Sequence, residues 1–160
     1  DLLDQLLDYW RKTNTRSIIS HAERPSDTVN AGVLHIFECW LDERLYSPRL
    51  DFAVRSWARQ SPPVRRLIAR ADAERLHAIA RLFERHGYEP EDALIRARVL
   101  YCMQVGYYLL DMKEPVEARL SHIAAYLRTF TGQEPTRAEI GRFRRLTEQR
   151  HPRSAGVGAR

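Results

Sequence analysis

SPRLDFAVRSWARQSPPVRRLIARADAERLHAIARLFERHGYEPEDALIRARVLYCMQVGYY, residues Ser47 to Tyr108, separates into three helices by its own punctuation. Ser47-Pro48 joins a capping hydroxyl to a first-turn proline, and Ser61-Pro62 repeats the device one helix later. Between the two breaks, Leu50, Phe52, Ala53, Val54 and Trp57 predict a short helix. Val64, Leu67, Ile68, Ala71, Leu76, Ile79, Leu82 and Phe83 then keep to one side of a longer one, with arginines and acids on the other. Gly87 suits the left-handed geometry that ends a helix. Pro90 with Glu89, Glu91 and Asp92 opens the next, where acids complement the partial positive charge of a helix start. No strand-period segment competes, so the expected class is all-α.

The same signals extend outward. Leu2, Leu3, Leu6, Leu7 and Trp10 recur at helical spacing directly after Asp1, so the sequence reads as beginning inside a helix, as a trimmed or processed chain would. Arg24-Pro25-Ser26 marks a loop, and Ser26 or Asp27 is expected to cap a second helix running to about Arg44, with Val33, Leu34, Phe37, Trp40, Leu41 and Leu45 on a broad apolar arc. After Lys113-Glu114-Pro115, a sixth helix gathers Val116, Leu120, Ile123, Ala124, Leu127 and Phe130 and stops at Gly132. Thr136 and Glu139 form a capping box for a last short helix with Ile140, Phe143 and Leu146. The expectation is one bundle of about seven helices over residues 1–150, followed by a flexible tail over 151–160.

Hydrophobic residues at 44% and charged residues at 29% suit a globular chain with a single core. No apolar run reaches the roughly 20 residues a bilayer requires, and no signal peptide opens the chain, so a cytoplasmic place without membrane contact is expected. The net charge is +5, yet arginines are spread through every helix; Arg55, Arg65, Arg66, Arg70, Arg75, Arg81 and Arg85 read as a solvated helix side in preference to a nucleic-acid groove. Cys39 and Cys102 lie within predicted helices without zinc spacing and read as buried, reduced thiols.

The LDFAVRSWA run, the serine-proline breaks around it, the ADAERL segment, the RHGY turn and the LIRARVLYCMQVG helix together resemble the regulatory half of TetR-family transcriptional regulators. The resemblance covers about 60 residues and extends less specifically to the flanking helices. It implies a TetR C-terminal-domain-like fold that senses an effector and dimerises. The family's helix-turn-helix, through which operator DNA is bound, has no counterpart in these residues.

Val99 to Leu110, VLYCMQVGYYLL, is apolar or aromatic at nearly every step, so a single neighbouring surface does not cover it. A homodimer interface of Val105, Gly106, Leu109 and Met112 with Leu120, Ile123, Leu127 and Phe130 is expected, Gly106 admitting a crossing helix; the other reading is the central helix of a monomeric bundle. The resemblance also implies an internal cavity for a hydrophobic or aromatic small-molecule effector. Trp10, Phe37, Trp40, Phe52, Trp57, Tyr101, Tyr107 and Tyr108 are its candidate walls, with Thr13, Glu38, His77, Tyr101 and Gln104 as polar anchors. Aromatics at this spacing also serve simply as core.

Chemical sites find less support. Glu74-x-x-His77 has the spacing of one element of a di-iron centre, but a second pair is missing. His35, Glu38 and Cys39 share one helix side without a clear fourth ligand. Neither a nucleophile elbow nor a glycine-rich phosphate loop occurs, so no metal, no cofactor and no enzymatic activity are expected. The alternative to a sensor is a helical interaction domain that binds no small molecule.

Overall fold

Punctuation sets the boundaries in the middle of the chain in the computed structural model, which describes residues 1–150 and is all-α. A first rod consists of α1 (Leu2–Trp10), a π-helical turn (Arg11–Thr15) and α2 (Arg16–Glu23). It is followed by α3 (Val29–Leu41), α4 (Pro48–Ala58), α5 (Pro62–Arg85), α6 (Pro90–Leu109), α7 (Val116–Ser121), α8 (Ile123–Thr131) and α9 (Arg137–Arg150). Ser47 Oγ accepts from Leu50 N at 3.3 Å, as its position before Pro48 predicts. Ser61 caps α5 without a side-chain bond, leaving Pro62 to set the first turn. Gly87 ends that helix at φ +85°, and α6 returns along α5.

Four expectations need correction. Asp1 does cap the first helix, accepting from Leu3 N at 3.3 Å. Thr28, not Ser26 or Asp27, caps α3 through the Ala31 N–H at 3.0 Å, and the helix stops at Leu41 because Asp42 turns extended and accepts from Arg44 N, Nε and Nη2. The sixth predicted helix is two, broken at His122 (φ −94°, ψ −2°) before Gly132 closes the second at φ +73°. The last helix is longer than expected, and its Thr136–Glu139 box is reciprocal: Glu139 N donates to Thr136 Oγ1 at 3.1 Å and Thr136 N to Glu139 Oε2 at 2.7 Å. Thr28 Oγ1 also donates to Glu139, tying the start of α3 to that of α9. The tail expected over 151–160 lies outside the described residues.

Two apolar clusters organise the packing. The larger joins α2, α3, α5, α6, α8 and α9 around Ile36, Phe37, Leu82, Phe83, Leu100, Leu127 and Phe130. Gly32 permits this, because a Cβ there would stand 2.9 Å from Leu82 Cδ1, so α3 approaches α5 closely only without a side chain. The smaller cluster sets Trp10 of α1 against Val54, Ala58, Val64, Ile68 and Ala71. No helix among the described residues is long and apolar enough to cross a membrane.

Candidate functional site

A cavity of about 40 Å³ opens where α3, α6, α7, α8 and α9 converge. Phe37 and Trp40 from α3, Tyr107 from α6, Tyr126 from α8 and Phe143 from α9 supply its aromatic wall, with Met103 of α6 beside them. These side chains converge because α3 is apolar around most of its girth while α9 lays Phe143 against Phe37, with ring centroids 6.5 Å apart. Gln104 projects from α6 into this surface, is only 4% exposed, and its Nε2 has no hydrogen-bond partner among the described residues. Buried donors are nearly always paired, so this one is conspicuous. On the rim, Tyr107 OH donates to Glu114 at 3.1 Å and the Arg119 guanidinium stands 4.7 Å over the Tyr107 ring.

The second polar assembly lies around Arg75, which is wholly buried. Its guanidinium donates to Thr15 Oγ1 at 2.9 Å, Tyr101 OH at 2.7 Å and Asp51 Oδ1 at 3.3 Å, and stands 5.0 Å over the Trp10 ring. Trp10 Nε1 donates to the same Asp51 oxygen at 2.8 Å. Arg55 bridges Asp51 and Asp72, and Tyr101 OH donates to Asp72 at 2.7 Å. Burial works against the Asp51 charge, but Arg75 and then Arg55 outweigh it and hold its carboxyl below the usual range. Burial pushes the Tyr101 phenol up, keeping it a neutral donor. Two cations and two carboxylates thus balance inside a ring of satisfied donors, and the π-helical turn delivers Thr15 to it.

The structure divides the sequence-predicted effector residues among several places. Phe37, Trp40 and Gln104 line the cavity. Tyr108 packs beside it, donating to Trp40 O at 3.0 Å. Trp10 and Tyr101 belong to the Arg75 assembly, and Trp57 packs half-buried on the smaller cluster. Thr13 is occupied by Tyr9 O at 2.8 Å, and Glu38 by Arg24 at 3.0 Å and Arg150 at 3.8 Å. His77 is exposed because it falls on the outer side of α5, and Phe52 is 57% exposed in an open groove, so neither lines an interior.

The predicted interface divides in a similar way. Leu109 and Met112 are exposed, and Val105 and Gly106 half-buried, whereas Leu120, Ile123, Leu127 and Phe130 are buried in this chain's own core by α3, α6 and α9. The α6 outer face is instead completed by Ile95, Val99 and Cys102, all exposed, which share one side with Gly106 and Leu109 at three- and four-residue steps. A Cβ at Gly106 would meet nothing within 4 Å. Cys102 therefore departs from the buried thiol expected, while burial pushes the Cys39 thiol up to about 12. Arg75 and Arg55 likewise depart from the solvated side expected of them. Among the described residues no three His, Cys, Asp or Glu side chains gather to hold a metal.

Sequence reasoning missed Tyr126, Met103, Phe143, Glu114 and Arg119 as cavity residues. Phe143 was available from its helical period, but the α7–α8 break at His122 that turns Arg119 and Tyr126 toward α6 leaves no glycine or proline signal at that point. Comparison with known proteins finds no family model that matches, no matching curated protein and no matching solved structure.

Proposed function

We propose that this chain is the ligand-sensing and dimerisation domain of a TetR-like transcriptional regulator, acting in the cytoplasm on operator DNA through a helix-turn-helix outside these residues. The observation that carries the sensing part is the apolar cavity faced by the unpaired amide of Gln104. The regulator part rests on the sequence resemblance over residues 47–108. The dimer part draws on the uncovered side of α6, where Ile95, Val99 and Leu109 are each about half exposed. In this reading an effector acts by differential affinity. Weakening operator binding a hundredfold requires it to prefer one conformation by about 2.7 kcal/mol.

Sedimentation of the chain at micromolar concentration tests the pairing: a dimer that Val99→Glu converts to a folded monomer supports it, and a wild-type monomer removes it. A thermal-shift screen of neutral and charged apolar compounds tests sensing, a rise in melting temperature being the expected result. The small size of the cavity favours a second reading, a helical interaction domain without a small-molecule ligand. A broad screen without any shift, together with an intact dimer, selects that reading.

A further inference from the structure

One side of the cavity is closed by the segment from Leu110 to His122, the strap that follows α6 together with α7. Leu120 is the one buried residue of that segment, whereas the helices it joins are held by Leu100 in α6 and by Leu127 and Phe130 in α8. The void lies against Leu120 and Val116, so even this anchor packs on incomplete ground. α7 is six residues long, and Pro115 precedes it without a side-chain cap. A helix that short does not keep its shape in water alone, so its form depends on docking. What docks it is largely polar and peripheral. Tyr107 OH donates to Glu114 at 3.1 Å, and Arg119 stacks on the Tyr107 ring and donates to the Tyr108 hydroxyl. Arg144 of α9 donates to Leu120 O at 3.2 Å and pairs with Glu117 at 3.7 Å. The segment also has a joint at each end. Asp111 holds φ +51°, the left-handed region that a residue other than glycine adopts at a cost, and His122 turns out of α7 at φ −94°, ψ −2°.

We infer that residues 110–122 form a hinged cover, which swings as one piece on Asp111 and His122 and bares the cavity wall of Phe37, Trp40 and Met103 while α6 and α8 stay packed. Opening gives up one buried side chain and a few rim bonds, far less than parting any two of the long helices. At about 40 Å³ the closed cavity holds no more than a few waters, so anything larger reaches Phe37 and Trp40 only through this opening. The cover stands independently of the sensor reading; within that reading it is the effector's entrance.

The test is amide hydrogen exchange of the full chain, read by mass spectrometry at neutral pH. The amides from Lys113 to Ser121 should share one level of protection, about 100-fold or more below that of α5. Tyr107→Phe cuts the tie at the strap end, and Arg144→Met cuts those at the far end. Each should speed exchange across the whole of 113–121 by about three- to tenfold and leave α5 unchanged. If Arg144→Met folds poorly by circular dichroism, the nearly isosteric Tyr107→Phe decides alone, since its effect must still reach Ser121. Acceleration confined to the amides beside the substituted tie overturns the inference, and so does wild-type protection equal to that of α5. Either result leaves the sensor reading to be judged by the thermal-shift screen.

Discussion

The buried polar groups around Arg75 and those around Gln104 share α6, which supplies Tyr101 to one and Gln104 to the other, yet they are finished to different degrees. At Arg75, charge is balanced, the guanidinium reaches Thr15, Asp51 and Tyr101, and Asp51 is contacted from α1, α4 and α5. At Gln104, a donor of comparable burial has no partner among the described residues, beside empty space and an arginine stacked on the Tyr107 ring. The difference teaches how to separate structural polarity from binding polarity. A self-contained network holds the fold together, whereas an incomplete one in a cavity has valence to spend on something else.

Substitution at the first site should therefore cost the most. Arg75→Met leaves Asp51 and Asp72 with Arg55 as their one remaining cation and should lower stability by about 3–5 kcal/mol in urea denaturation. If the loss is under about 1 kcal/mol, the network does not hold the helices together as described. Trp10→Phe keeps an aromatic ring near Arg75 but removes the Nε1 donor to Asp51 and trims a fully buried side chain; it should cost about 3 kcal/mol, the lost bond to a charged group plus the void, and is read in the same assay.

Acid sharpens the contrast further. Hydrogen bonding to Arg44 holds the Asp42 carboxyl down to about 2, and the Asp51 carboxyl is also held low. Because both folded values lie below the unfolded ones, the stability they confer is present above about pH 4 and lost as the pH falls through the folded values. The exposed position of Arg44 leaves the pair screened by solvent, so Asp42 accounts for no more than about 1 kcal/mol. Urea midpoints should hold steady down to about pH 4 and drop toward pH 2, with a shallower drop in Asp42→Asn. The smallest effect belongs to the incomplete site: Gln104→Leu should leave stability unchanged or raise it by up to about 1 kcal/mol, since it removes an unpaired donor. A loss above 1 kcal/mol would mean the amide is bonded after all.

Much of the fold was legible because helix ends are written locally. Ser47-Pro48, Gly87, Gly132 and the Thr136–Glu139 box all do what their chemistry demands. What escaped is decided by neighbours distant in sequence. Arg75 looks like any arginine on the charged side of α5, and its burial follows only once Trp10, Asp51 and Tyr101 arrive from three other helices. The cavity is half legible: Phe37, Trp40, Gln104 and Tyr107 line it as their residue types suggest, whereas the helical phase of His77 and Phe52 turns them outward. Cys102 was misplaced because an apolar run was read as uniformly interior, although only one side of α6 has cover.

The π-helical turn at Arg11–Thr15 has a consequence beyond the delivery of Thr15. One surplus residue in a helix rotates everything before it by about 100° relative to everything after it. Leu2, Leu6 and Tyr9, a solvent-facing ridge on the leading end of the rod, therefore owe their compass bearing to that single insertion. Deleting one residue there would swing the ridge toward a different quarter while leaving its composition untouched.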